Sequence, residues 1–597
     1  MKKLNTLFFL LIAMFTMGAV VAQDTLDVAP GLGTLNTAIT ENGGDKIYKL
    51  QANQWYGLDA VIENVDYHLQ IVGEDVDIYN GAVLPATLQT GTTGEGAPFT
   101  KMFDAKGDIT LKNIYVVNSD LNGQIPGELL TQSDSGGAVV IDNCVLDPLG
   151  QTNPITMSGG FNDLWFTNNI AARHGHEIGA NDGHLFVIAS GAAPGGADTV
   201  VIENNTFVSI GMNWLSGSFA DQINNYILIN HNTLIHSKSQ MDWSILENEY
   251  YLTNNLFFDF MTSGYSYAWQ PMPGGDIALP KPMLIYSDTI PDEVLPSVRI
   301  SYIQYNSLFR HENFYELMEE INTLDDEDTV NQVNLHPFIW DGLTPAKFGA
   351  DPDSAFAASR EGHLYNHANN TNTDFPMWKY GNYVYDLDPQ FTDQMIYELS
   401  DSLRAWQRPA TYIHALGFPS TDFPEPSTWD KWHWDPDGDP AINDTWPIFD
   451  GTYAESSSME YSVAGLPLGD LNWWPEKKAM WETNKDAIYA HMKAGNTDRI
   501  NITSVEDVRE SGSSFSRIYP NPLTDGATIE FTLDKVADVE ISVYNPIGQR
   551  VKVIMNERRV AGTHVVKFDR GDLQHGVYFY TIKAGSEREA HKMIIGQ

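Results

Sequence analysis

Seven positions stand four residues after a recurring asparagine: Val117, Asp147, Arg173, Ser209, His236, Asp259 and Arg310. Several are followed by further titratable groups, with His174, His176 and Glu177 after Arg173, Lys238 and Asp242 after His236, and His311 and Glu312 after Arg310. If these positions align, they form a polar column of mixed charge, a groove able to hold an anionic or neutral glycan with basic groups beside its carboxylates. His174, His176 and Asp259 are then candidates for contact with the sugar. A second group lies at Trp429-Asp430-Lys431-Trp432-His433-Trp434. Exposed indole rings are flat stacking platforms, so Trp432 and Trp434 are candidate sugar contacts, against the competing use of buried Trp to anchor a cap. The alternating carboxylates Asp435, Asp437 and Asp439 offer hard oxygen ligands suited to calcium. That loop departs from the EF-hand, with Gly438 at its fourth place and Trp446 where the closing Glu would stand. No phosphate-cradling glycine loop, metalloprotease His pair or nucleophile elbow is found.

The elements that must position these residues are legible in a drifting repeat. A word made of a polar residue, Asn and an apolar run recurs, with its asparagines at 113, 143, 169, 205, 232, 255 and 306, in steps of 30, 26, 36, 27, 23 and 51 residues. The flanking residues are β-branched, aromatic and aliphatic in short runs without helical period, which predicts one solenoid coil per word. Asparagine tolerates the left-handed turn conformation, and its amide can bond the same amide one coil away. Two residues past each asparagine stand Tyr115, Val145, Ala171, Phe207, Leu234, Phe257 and Leu308, which reads as a core column beside the polar one.

This pattern resembles the right-handed parallel β-helix proteins of the pectate-lyase-like superfamily, which carry asparagine ladders. The opening fits as well, with 34–39, 48–50 and 69–74 reading as a capping helix and first coils. Lyases on that fold commonly abstract the proton beside a uronate carboxylate with Lys or Arg, while Arg or a cation neutralises the carboxylate. The resemblance implies such work for Arg173, His236, Lys238 and Arg310. However, no Lys/Arg pair on adjacent coils fits a lyase family well. Of the polygalacturonase carboxylate set, Ala180-Asn181-Asp182-Gly183-His184 keeps only some letters.

The expected organisation is all-β with a helix-containing cap. It comprises a signal peptide over 1–22, a parallel β-helix over 24–310, late coils and an irregular cap over 311–495, a polar linker over 496–514, and an antiparallel β-sandwich over 515–597. Helices are expected at 312–321, 389–404 and 475–493, the last with Pro475 at its first position. The words Tyr519-Pro520-Asn521-Pro522, Val543-Tyr544-Asn545-Pro546-Ile547-Gly548 and Gly576-Val577-Tyr578-Phe579-Tyr580, with the terminal Lys592-Met593-Ile594-Ile595, resemble the type IX secretion sorting domain of Bacteroidota. That resemblance implies the export machinery as a partner through 515–597, and an extracellular or outer-surface location.

Composition bounds the remaining classes. The 597 residues carry a formal charge of -43, which disfavours nucleic acid and anionic lipid. The last module, with 11 basic and 10 acidic residues, is near neutral, so the acidity belongs to the solenoid. Cys144 is the single cysteine, which rules out an intramolecular disulfide, and its strand-like setting predicts a buried small hydrophobe. Past the first segment no apolar run is long enough to span a membrane. Two functions stay open: a lyase or hydrolase that binds and cleaves an extracellular polysaccharide, with calcium as a possible cofactor, or a non-catalytic adhesin or structural solenoid.

Overall fold

The computed structural model describes residues 24–44, 46–174, 184–189, 195–211, 213–217, 222–237, 247–260, 265–266, 300–314, 316, 333–334, 378–382, 384–385, 387–401, 403, 450–454 and 460–502. In the carboxy-terminal module it describes 516–519, 521, 523–524, 526–533, 535–545, 550–571, 573–584 and 587–596. The signal-peptide segment, Lys238, His176, Trp432, Trp434, Asp435, Asp437 and Asp439 lie outside the described residues. The chain divides into two compact units, with the boundary between Asn501 and Ile502.

The first unit is a parallel β-helix. Successive short strands pass through three sheets in turn, and each strand pairs in parallel with its counterparts one coil before and after. Sheets A and B each have 11 strands and sheet C has six. Strand pairing at ~4.8 Å puts equivalent side chains directly above one another. Sheet A shows the result: Ile71, Leu111, Ile141, Phe166, Ile202, Ile229, Leu252 and Ile303 share one register and fill the interior. Helix α1 (Thr34–Asn42) buries Leu35 and Ile39 against the first coils. Cys144 is buried, and loss of hydration pushes its thiol up to about 12, so it acts as core filler.

The turn from sheet A to sheet B explains the asparagines. Asn113, Asn143, Asn168, Asn204, His231, Asn254 and Tyr305 adopt φ between 51° and 59°. The next residue begins the buried ladder. Asn169 N–H donates to Asn205 Oδ1 (2.9 Å), Asn205 N–H to Asn232 Oδ1 (3.1 Å), Asn232 N–H to Asn255 Oδ1 (2.9 Å) and Asn255 N–H to Asn306 Oδ1 (3.0 Å). The expected frame therefore slips by one residue at its start. Asn113 and Asn143 are left-handed turn residues, and Ile114 and Cys144 hold the ladder places. Consequently Tyr115 and Val145 pair with Ile170 on the outer face of sheet B, while Val116 and Leu146 join Ala171, Phe207, Leu234, Phe257 and Leu308 inside.

Coils continue through strands Trp378–Gly381 and Val384–Tyr385. Among the described residues the chain is helical at 312–314, 316, 395–401 and 403, with 389–394 preceding the helix expected to begin there, and helix α2 (Pro475–Lys493) is as expected. The later segments do more than close an end. Phe391, Ile396, Tyr453, Leu468 and Trp473 pack on Ile170, Val208, Ile235 and Phe258 of the outer face of sheet B. Residues 460–500 then run along the column of left-handed turns. Gly469 N–H donates to the Asn254 carbonyl (2.9 Å), Val463 N–H to Asn254 Oδ1 (2.8 Å), Asn472 Nδ2 to the Asn204 carbonyl (2.9 Å) and Tyr305 Oη to the Thr497 carbonyl (2.6 Å). Gly469 sits at φ 84° where a Cβ would lie 2.3 Å from Thr233 Oγ1, so only glycine fits that crossing. From α2, Lys485 pairs with buried Glu203 (2.6 Å).

The second unit is an antiparallel sandwich. Ser516–Tyr519, Gly526–Leu533 and Gly562–Asp569 form one sheet; Arg550–Arg559, Ala537–Tyr544, Gly576–Ala584 and Glu587–Ile595 form the other. Ile529, Phe531, Ile541, Val543, Tyr580, Ile582 and Met593 make its core.

Candidate functional site

Of the predicted polar column, Arg173, Ser209, His236, Asp259 and Arg310 do share one place, immediately after the paired residues Ala172, Val208, Ile235, Phe258 and Phe309. Val117 and Asp147, counted from the slipped frame, stand one place earlier. Four of the five have left-handed φ: Arg173 at 53°, Ser209 at 58°, His236 at 56° and Asp259 at 48°. Such a conformation at a non-glycine residue bulges the strand end and re-aims its side chain.

The column is covered rather than open. Arg173 is 2% exposed, His236 and Asp259 0% and Arg310 3%, so the expectation of a solvent groove here does not match the geometry. Over His236 and Asp259 the cover is the segment 387–401, whose Ser400 bonds to both and which the sequence did not place on this flank. Arg173 Nε donates to buried Asp147 Oδ1 at 2.5 Å. Arg310 Nε donates to the Phe260 carbonyl at 2.7 Å. His174 is buried, with Nε2 3.2 Å from the Thr152 carbonyl, and burial pulls it down to about 3.

His236, Asp259 and the covering segment meet in a chain of hydrogen bonds. Ser400 Oγ donates to Asp259 Oδ2 (2.5 Å) and lies 2.9 Å from His236 Nε2. His311 Nδ1 lies 2.7 Å from Asp259 Oδ2, and its backbone N–H donates to Asp259 Oδ1 (2.8 Å). Burial pulls His236 down to about 4. For His311 burial also lowers, but the hydrogen bond and charge of Asp259, with Asp388 and Asp401, outweigh it, so the imidazole titrates above its ordinary 6.5. Sequence reasoning noticed His311 only as a neighbour of Arg310; its pairing with Asp259 spans 52 residues and had no local signal.

A second polar arrangement lies on the outer face of sheet C. In the strand Phe103–Lys106, Phe103 and Ala105 point inward, and Asp104 and Lys106 outward. Glu63, Asp104, Thr131 and Thr156 stand in register on successive rungs. Lys106 pairs with Glu63 (3.1 Å) and Asp104 (3.4 Å), which raises its ammonium, with the Glu63 hydrogen bond the largest cause. Lys101 Nζ donates to Thr131 Oγ1 (2.7 Å) and lies 3.2 Å from Glu128. Glu63 at 55% and Lys106 at 38% are open to solvent, Lys101, Asp104 and Glu128 are partly covered, and Thr131 is buried. The alternation in Lys101-Met102-Phe103-Asp104-Ala105-Lys106 carried this signal, but the strand has no ladder asparagine to mark it. Among the described residues no group of three or more His, Cys, Asp or Glu side chains is arranged to hold a metal.

Residues 517–596 match the family described as the secretion system C-terminal sorting domain. The last module is thus a type IX sorting domain, which directs the chain to the cell surface or extracellular space. No curated protein matches the chain. Among solved structures, a PL6 family alginate lyase, AlyGC, aligns at 15% identity over 40% of this chain and 36% of that one, with a TM-score of 0.25. The β-helix assignment rests on the strand pairing above and not on that alignment. No helix among the described residues is long and apolar enough to cross a membrane.

Proposed function

We propose that this exported β-helix protein binds an extracellular polysaccharide along the outer face of sheet C. One observation carries the reading: Glu63, Asp104 and Thr156 stand partly exposed in one register of a parallel sheet, with Thr131 buried between the last two and Lys106 beside the first two. An extended glycan laid along the solenoid axis meets a new set of such groups every ~4.8 Å. Carboxylates accept from sugar hydroxyls, and Lys101 and Lys106 donate to hydroxyls or to a uronate carboxylate. The solenoid's strong negative charge favours neutral or weakly charged chains, and any uronate depends on these two amines.

Eliminative cleavage, the finer reading, would need a base beside the bound chain. Lys238, outside the described residues, stays a candidate for it, while Arg173 is committed to Asp147. The competing reading, a non-catalytic adhesin, is supported by that ion pairing, because an arginine held by a buried carboxylate is not free to act on substrate. The experiment is a panel of pectin, alginate, glycosaminoglycan, xylan and mannan, read by affinity electrophoresis and by unsaturated-uronate absorbance. Binding with absorbance growth supports a lyase, and binding without it an adhesin.

A further inference from the structure

With Cys144 the single cysteine, any covalent tie within this chain must join other side chains. Lys478, in the first turn of α2, is placed for one. Lys485, further along the same helix, meets the carboxylate of Glu203, whereas Lys478 Nζ donates to two carboxamide oxygens, Asn168 Oδ1 (2.5 Å) and Asn472 Oδ1. The amine thus lies against the carboxamide carbon of Asn472. On the other arm of that carboxamide, Nδ2 donates to Asp470 Oδ1 (2.7 Å), the Asn204 carbonyl (2.9 Å) and Tyr79 Oη (3.1 Å). Asp470 is fully buried. Its Oδ2 accepts from Thr206 Oγ1, which in turn accepts from Trp473 Nε1, and the Tyr79 and Trp473 rings meet edge to face at 4.8 Å. Burial pushes the Asp470 carboxyl up to about 6, against the pull of the Asn472 N–H and the Lys478 charge. An amine, a carboxamide and a carboxyl able to hold a proton therefore meet at one point.

We propose that Lys478 and Asn472 join in an intramolecular amide, with Asp470 as the proton carrier. The link staples the first turn of α2 to the segment that runs along the column of left-handed turns, and it is independent of glycan binding. The half-buried Lys478 amine first gives a proton to solvent, and neutral Nζ adds to Asn472 Cγ. Asp470 protonates Nδ2, the bond from Cγ to Nδ2 breaks, and ammonia leaves. The second proton shed by Nζ returns to Asp470. One C–N bond forms and one breaks, with nothing oxidised or reduced. Holding the amine on the carboxamide replaces a bimolecular encounter, which is where intramolecular reactions gain most of their rate. Asn168 is the less suited electrophile. Its Nδ2 donates to Asp142 (2.7 Å), where burial alone would raise the carboxyl but Lys112, Asn168 and Thr167 outweigh it. Asp142 therefore holds no proton to give a leaving amine, and Asn168 serves to position Nζ.

The test is a tryptic peptide map of the mature full-length chain, read by mass spectrometry after overnight incubation at mildly alkaline pH. Trypsin cuts behind Lys477 but not behind an acylated Lys478. Wild type should give one branched peptide joining Asn472 to Lys478, lighter than its two parts by one ammonia, about 17 Da. Lys478→Arg, which keeps the charge but cannot form the amide, should give linear peptides only. Asp470→Asn should give at least ~10-fold less of the branched product. Linear peptides with Asn472 and Lys478 intact in wild type overturn the proposal, and so does a link that maps to Asn168. Undiminished branching in Asp470→Asn overturns the part given to Asp470. The wild-type map decides by itself whether the amide exists, so a variant that fails to fold leaves that outcome readable.

Discussion

Replacing Arg173 separates a structural from a catalytic role for the polar column. Arg173 and Asp147 are 2% and 0% exposed and 2.5 Å apart. Removing one partner leaves an uncompensated buried charge, which costs about 3–5 kcal/mol. That is a large share of the ~5–15 kcal/mol of a typical domain. Arg173→Met should therefore lower the urea midpoint strongly, and Asp147→Leu should do the same. The double variant Arg173→Met/Asp147→Leu removes both charges and fills the space, so most of the loss should be recovered. The cycle should give a coupling of at least ~2 kcal/mol for a pair in direct contact. The assay is equilibrium urea unfolding of the mature chain followed by fluorescence. A loss below ~1 kcal/mol in Arg173→Met, or additive losses in the double variant, would refute the assignment of Arg173 as an internal tie. Unchanged stability with abolished glycan turnover would restore it as a catalytic group.

Two further outcomes concern the solenoid. Asn232→Ala removes the acceptor of Asn205 N–H and Nδ2 and the donor to the Ile202 carbonyl, all buried; about 3 kcal/mol of stability should go, read by denaturant midpoint. Acid should weaken the fold through His174, His184, His231 and His236, which burial pulls down to about 3, 4, 4 and 4. Their folded pKa is depressed, so the unfolded chain binds more protons and stability falls as pH drops from 6.5 toward 4. Asp163 and Asp470, which burial pushes up to about 6, act in the opposite sense between pH 6 and 3.8 and offset part of this loss. Urea midpoints measured from pH 7 to pH 4 should decline, and a flat profile would contradict the burial of these imidazoles.

The periodic parts of the molecule were legible in the sequence because their cause is local. A left-handed turn favours Asn at each coil, and the inward strands repeat apolar residues in register, so the words at 169, 205, 232, 255 and 306 mark the ladder directly. At 113 and 143 a single asparagine marks only the turn, and counting by that letter displaced the column by one residue. The site was less legible because its contacts are long-range. Ser400 reaches Asp259 across 141 residues, and Thr206 is met by Asp470 across 264. Nothing in a coil's own sequence says that a later segment will cover it, so residues that read as groove became interior. Conversely, Lys106 stands on a strand without the marker asparagine, with Lys101 just before it, and only the stacking of coils brings Lys106 beside Glu63 and Lys101 beside Glu128.

Binding of a neutral or uronate glycan to the mature chain, compared with the Lys101→Ala/Lys106→Ala variant, tests the central claim most directly. A polysaccharide from the panel should retard wild type in affinity electrophoresis, and the variant, with its melting temperature within a degree or two, should bind at least ~10-fold more weakly, a loss of about 1.4 kcal/mol. Equal retardation of wild type and the folded variant by every glycan that binds would contradict the assignment of sheet C as the binding face.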